Sequence, residues 1–330
     1  MKLIDLHCDT IWKLEKAERG CGGEKPRHET LYQNTGHIDI AGMKKAGTTA
    51  QFFANFIYKE CYENDWDKAY EGALHMIERI SREIDAAKQD MELLTSYQQL
   101  ISMQETFPQR IGAFLTIEEG GILNGHMERL HYLYKKGIRL MTLIWNYENC
   151  IGYPNSDDAE RMQMGLKPFG MEIVEEMNRM GMIVDVSHLS DGGFWDVVKN
   201  SKKPVTASHS NARKICSVRR NLTDEMLKAL GENGGVAGVN FYPCFVRENA
   251  KSTAADLAVH VQHMIQTGGE DLPAVGTDFD GFDIGESEIT HVSQMEKFYD
   301  ALAKAGLSSR QIEKVCCENA QRLLGAVLSK

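Results

Sequence analysis

The sequence predicts an α/β protein, a (β/α)8 TIM-type barrel with inserted loops at the carboxyl ends of its strands, with residues 1–330 forming a single domain. Two observations predict it. Eight short apolar runs each end in polar or chemically active residue types, and each is followed by a longer amphipathic stretch, which is the rhythm of parallel strand and crossover helix. The runs are near-continuously apolar, as IVDVSH and GVAGVNFY show, and strands covered on both faces read that way. Eight such alternations close most economically into a barrel, with an open doubly wound sheet as the alternative.

In chain order the expected strands are Lys2 to His7, Thr49 to Ile57, Ile111 to Glu118, Ile138 to Trp145, Met182 to His188, Val205 to His209, Gly235 to Tyr242 and Leu272 to Asp278. Between them lie helical patterns. Ala69 to Lys88 places Leu74, Ile77, Ile80 and Ile84 three or four apart, and MEIVEEMNRMG ends at Gly181 in the manner of a C-cap. Two segments read as insertions after strand ends: Glu15 to Gly36, rich in glycine, cysteine and charge, and Asn146 to Lys167, polar and carrying Pro154 and Asp157-Asp158. Long loops in that position tend to be functional.

Composition narrows the class. A net charge of −10, without a basic run, argues against nucleic acid or anionic membrane as partners, because both require basic patches. Asp5, His7 and Asp9 interrupt the apolar start before a signal-peptide core could form, and no stretch reaches the ~20 apolar residues of a membrane span, so the expected location is cytoplasmic. The eight cysteines show no CxxC spacing and read as reduced, packed side chains, including the adjacent Cys316 and Cys317 in a helix.

Metal-ligand residue types gather at the ends of separate predicted strands, where barrel enzymes build their active sites. His7 and Asp9 stand two apart in an extended segment and would share a face; Glu118 closes AFLTIE, His188 closes IVDVS and His209 closes VTAS. Any one of these could be a satisfied rim residue. Three imidazoles and two carboxylates together form the ligand set of hydrolytic zinc, with Glu118 able to bridge two ions. Asp278, in AVGTDFDG, follows the eighth strand and could move a proton; Arg220, in SVRRN, could clamp a substrate carboxylate, or simply form a solvated pair with Arg219. His260 and His263 read as a solvated helix face, as do His126 and His131, while Asn240 and Tyr242 would line the pocket mouth.

DLHCDT, IEEGG, DVSH, SHS followed by RRN, and VGTDFDG, in this order and spacing, resemble the renal or membrane dipeptidase family, zinc peptidases of the M19 type. The resemblance runs from Lys2 to the C-terminal helix and implies a soluble, bacterial-like member, since the ending LLGAVLSK is too short for a lipid-anchor tail signal. It implies a binuclear zinc dipeptidase acting on dipeptides, including those with a C-terminal D-residue, and a homodimer. His7, Asp9 and Glu118 would hold one Zn2+, and Glu118 would bridge to a second held by His188 and His209. Arg220 would bind substrate and Asp278 would assist proton transfer. Glu118 and Glu119 are adjacent, and the spacing to Gly137 selects Glu118. Vertebrate members carry a histidine after the fourth strand where this chain, in TLIWN, has Trp145. An indole donates one hydrogen bond and cannot be protonated. The departure bears on oxyanion stabilisation and substrate preference rather than on metal binding, and it places Trp145 on the substrate side. The alternative activity is a related metal-dependent amidohydrolase acting on a cyclic amide, a β-lactam or an N-acyl amino acid.

Overall fold

In the computed structural model, which describes residues 1–19, 26–248 and 251–329, the apolar runs lie in parallel register and bury both faces. The strands are β1 (Leu3–Cys8), β2 (Thr48–Phe56), β3 (Met91–Leu93), β4 (Ile111–Glu118), β5 (Ile138–Thr142), β6 (Ile183–Asp185), β7 (Thr206–Ala207), β8 (Val236–Val239) and β9 (Pro273–Val275). Eight of them close in the order β1-β2-β4-β5-β6-β7-β8-β9, and β9 pairs back to β1 at Asp5 and Val275. The fold is therefore the closed barrel and not the open sheet.

β3 was not expected. It pairs with the first residues of β4, from Met91 opposite Ile111 to Leu93 opposite Ala113. Three residues are too few to show a period.

From β5 onward the strands are shorter than the apolar runs that announce them, so Trp145, His188, His209, Tyr242 and Asp278 all lie beyond the strand ends. The backbone leaves the ladder there. His188 and Asp278 adopt φ of 68° and 60°, the left-handed region that non-glycine residues enter only under constraint. β1 also departs from a plain strand, because its pairing with β2 slips between Asp5 and Cys8, and such a bulge re-aims the side chains at a strand end. Asp9 is not extended strand at all: its carbonyl accepts from Lys13 N (3.1 Å) as the helix Thr10–Arg19 begins. His7 and Asp9 thus meet by a bulge and a helix start, not by simple alternation.

Ile4, Leu6, Phe52, Phe114, Leu140 and Ile183 pack with one another inside the barrel, where Phe52 and Phe114 stack at 4.9 Å. The C-terminal helix Asn319–Val327 closes this interior from below through Ala320, Leu323 and Leu324. A larger apolar layer separates the strands from the surrounding helices. The expected helices are present as Trp66–Ala86 and Pro168–Met180, the latter stopped by Gly181 at φ 73°. Cys316 and Cys317 are free, buried and helical.

The first insertion begins later than expected, since Glu15 to Arg19 continue the first helix; residues 20–25 lie outside the described residues. Its remainder is held by Arg79, which donates to the Glu29 carbonyl (2.7 Å) and to Glu83 (3.1 Å), while Glu83 accepts from Leu31 N (3.0 Å). His260 corrects the solvated-face expectation. It is fully buried, with Ala212 N donating to Nδ1 (3.2 Å) and Nε2 against the Val246 carbonyl (2.8 Å), and His263 meets Asp224 (2.7 Å). His126 and His131 are half exposed, as expected. Among the described residues no helix is long and apolar enough to cross a membrane.

Strand spacing near the mouth depends on two glycines. A Cβ on Gly238 or Gly276 would stand 1.9 or 1.8 Å from the Ser208 carbonyl oxygen, which neither backbone can avoid. Gly276→Ala should destabilise the barrel by about 1–3 kcal/mol, the usual range for overpacking. Thermal unfolding followed by circular dichroism checks this; an unchanged midpoint would show that β7 and β9 can separate freely.

Candidate metal centre and active site

Every strand that contributes to the site ends at the same mouth, so residues distant in sequence converge there. The register from Ala50 opposite Gly112 to Phe56 opposite Glu118 lifts Glu118 to the top of β4. Its carboxylate is the hub. Oε2 lies 3.2 Å from His7 Nε2, and Oε1 lies 3.2 Å from His188 Nε2 and 3.5 Å from His209 Nε2. Asp9 reaches His7 at 3.5 Å, and Asp278 Oδ1 stands 3.9 Å from the same nitrogen. Two sets bring their ligand atoms within 4.8 Å of one another: His7, Glu118 and His209, and His7, Asp9 and Asp278.

Glu119, the alternative to Glu118, turns away. Its carboxylate accepts from Gly121 N (2.7 Å), Trp145 N (3.1 Å) and Asn149 Nδ2 (2.5 Å), and so anchors the loop after β5. Burial raises its carboxyl to about 7 despite these bonds.

The donor set fits a divalent metal, and the fit can be judged from what the side chains lack. Among the described residues neither ring nitrogen of His7 has a hydrogen-bond partner, nor does Asp9 Oδ1, although all are buried. His188 Nε2 and His209 Nε2 face each other at 3.0 Å. Buried polar atoms seldom remain unpaired. Protonation answers only part of this: burial would lower His7, yet Glu118 and Asp9 beside it hold the imidazole well above its ordinary range. Burial would raise the Glu118 carboxyl, yet the His7 charge beside it, with His188 and His209 in contact, holds it well below the ordinary range. Burial followed by the Arg220 charge lowers His188 to about 4, and burial, His7 and Arg220 push His209 well down. Burial and then Glu118 drive Asp9 well up, and burial with Glu118 raises Asp278 to about 6. Carboxylates in forced proximity, beside His188 and His209 held neutral, form a site that a cation would neutralise.

Around this floor opens a cavity of about 680 Å³. Trp12, Phe56, Tyr58 and Trp145 form one wall, with Trp145 set edge-on to Phe56 (4.8 Å) and 6.2 Å from the His188 ring. Tyr242 and Phe282, stacked at 5.1 Å, form the facing wall, so Tyr242 does line the opening. Asn240 does not. It is buried beneath, where Nδ2 donates to Asp278 Oδ2 (2.8 Å).

Arg220 is buried rather than solvated, whereas Arg219 is exposed and pairs with Asp157. Arg220 Nη1 donates to Ser210 Oγ (2.5 Å), Nη2 donates to the His209 carbonyl (2.9 Å), and Nε has no partner among the described residues. It lies behind His188 and does not line the large cavity.

Sequence reasoning missed His37 and Asp280. The two clasp each other, His37 N donating to Asp280 Oδ1 (2.7 Å) and Asp280 N to His37 Nδ1 (2.9 Å), and both line the cavity. Asp280, in VGTDFDG, carried a signal by position. His37, at the end of an irregular insertion, carried none.

Fold and site together define a metal-dependent hydrolase of the barrel type. The model of the membrane dipeptidase family, peptidase family M19, matches residues 1–329, and the chain belongs to that family, hydrolases acting on peptide bonds. Among solved structures, a metallopeptidase of family M19 described as dipeptidase AC superposes with a TM-score of 0.87 at 25% identity, covering 100% of this chain and 99% of its own. A metallopeptidase of Rhodobacter sphaeroides, liganded with a phosphinate mimic of the dipeptide L-Ala-D-Ala, gives 0.86 at 25% identity with 99% of each chain covered. An uncharacterized dipeptidase of Schizosaccharomyces pombe is 29% identical over 98% of this chain and 79% of its own.

Because Glu118 faces all three imidazoles, Glu118→Gln should weaken metal binding beyond the roughly 10–100-fold typical of outer-shell changes. Glu119→Gln should retain it. Metal content after gel filtration distinguishes the two, and equal retention would remove Glu118 from the centre.

Proposed function

We propose that the protein is a binuclear zinc dipeptidase that accepts dipeptides, including those with a C-terminal D-residue. The observation that carries the proposal is the convergence of five donors on a buried floor, with one carboxylate shared between His7 on one side and His188 and His209 on the other. In this assignment His7, Asp9 and Glu118 would hold one ion, and Glu118, His188 and His209 would hold the second. When bound, the ions supply Lewis acidity that activates a water and polarises the scissile carbonyl.

The chain's own groups perform the remaining steps. Asp278 takes the proton from the attacking water and returns it to the departing amine; it stands over the floor near His7, and Asn240 fixes its other oxygen. Burial raises its carboxyl to about 6, which suits a group that must both accept and release a proton near neutrality. Arg220 binds the substrate carboxylate. In its favour, it is a buried guanidinium with an open Nε and no ion pair within 4.0 Å among the described residues, and such a charge is costly without an anion. Trp145 with Phe56 and Tyr58 forms the wall against which the substrate's side chain packs. A carboxylate clamp behind a closed floor explains the restriction to two residues, because a longer peptide places no free carboxylate there. The dipeptide mimic held by the Rhodobacter sphaeroides relative supports both the substrate class and the D-residue. The homodimer rests on family resemblance, and sedimentation velocity reads it.

A panel of L-L and L-D dipeptides assayed with and without a chelator tests the activity. Turnover should be lost with the metal and restored by Zn2+; turnover of cyclic amides or N-acyl amino acids in place of dipeptides would transfer the assignment to another amidohydrolase. Asp278→Asn should keep both ions and lose roughly 10²–10⁴-fold in kcat, the usual contribution of a positioned acid or base. Full activity in that variant would remove Asp278 from the mechanism.

A further inference from the structure

Beneath His209 lies a relay that sets which of its nitrogens carries the proton. Asp185 is fully buried at the end of β6, and four donors surround its carboxylate. Ser187 N (3.0 Å) and Ser208 N (2.8 Å) donate to Oδ1, and the hydroxyls of Thr142 (2.6 Å) and Ser208 (2.6 Å) donate to Oδ2. Ser208 Oγ also lies 2.7 Å from His209 Nδ1.

Proton counting fixes the direction. A carboxylate only accepts, so the single hydroxyl hydrogen of Ser208 belongs to Asp185. Ser208 Oγ can then only accept from His209, and the ring proton must sit on Nδ1. The Nε2 lone pair is thereby turned toward Glu118 Oε1 and His188 Nε2. We infer that Asp185 and Ser208 are positioning residues that hold His209 in its metal-binding tautomer; the inference rests on the metal centre proposed above. His7, whose Nδ1 has no partner among the described residues, has no comparable support there.

The same counting gives a sharp expectation for Asp185→Asn. The amide nitrogen cannot face the two backbone N–H groups, so it must take the Oδ2 side and donate to Ser208. The Ser208 hydroxyl then turns its hydrogen onto His209 Nδ1, which places the ring proton on Nε2, facing the site. Ser208→Ala removes the acceptor and leaves Asp185 its other three bonds.

The test uses the full-length protein, loaded with Zn2+ or Co2+ and titrated against a chromophoric chelator. Wild type should bind two ions. Both variants should keep one at its original affinity and bind the second roughly 10–100-fold more weakly, with a changed Co2+ visible spectrum. Ser208→Thr, which keeps the hydroxyl, should recover the second ion. If Asp185→Asn does not fold, Ser208→Ala carries the test alone, and nitrogen NMR of metal-free wild type should show His209 protonated on Nδ1. Folded variants with two ions at wild-type affinity would overturn the inference. A wild type that takes up one ion overturns the two-ion assignment instead, and the role of the relay is then read from whether that ion's affinity falls in Ser208→Ala.

Discussion

The structure is organised around the Glu118 carboxylate, buried at the top of β4 and shared among three imidazoles. A charge removed from water to this extent is stable only when its lone pairs are met. His188 and His209, which burial holds neutral, meet them poorly, and Asp9 and Asp278 nearby add like charge. The floor therefore crowds three carboxylates around one charged and two neutral imidazoles, an arrangement that a dication would neutralise further. The rest of the mouth keeps these groups from relaxing apart.

That constraint appears in the backbone. Glu119, His188, Asp278 and Asp280 all have positive φ, and all four lie just past strand ends at the mouth. Such conformations cost about 1–3 kcal/mol each and persist where surrounding bonds over-determine them. Here the bonds can be named. Asn155 binds the His188 carbonyl twice (2.8 and 3.0 Å), Asp278 N donates to the His7 carbonyl (3.1 Å), and Asp280 is clasped by His37 and Thr10. The turns that end the strands early are the same turns that bring the donors inward, so short strands and a converged site have one cause.

The contrast between floor and walls separates two kinds of specificity. The floor is polar and held through buried networks such as Asp185-Ser208-His209, in which each atom has a fixed role. The walls are aromatic, drawn from the first helix, from the end of β2 and the segment after it, and from the segments after β5, β8 and β9. Such walls can change without disturbing the metal ligands. Trp145 illustrates this, since it packs on Phe56 while its backbone is tied to Glu119 rather than to the donor cluster.

Much of this was legible in the sequence because barrel strands announce themselves by continuous apolar runs, and the groups that end them were visible as His7, Glu118, His188, His209 and Asp278. β3 was invisible because it is too short to have a period. The buried state of His260, the depth of Asn240 and the roles of Asp185, Ser208 and His37 were invisible because each is fixed by partners tens to hundreds of residues away. By itself, then, the sequence determined the eightfold alternation and which residue types stand at strand ends, since periodicity and local composition are properties of short stretches. Only the tertiary structure decided which of two adjacent glutamates faces the imidazoles, whether Arg220 is solvated or buried, and which side chains orient the ligands. Each of these depends on strand register and on turns stabilised by distant hydrogen bonds, which exist only once the barrel has closed.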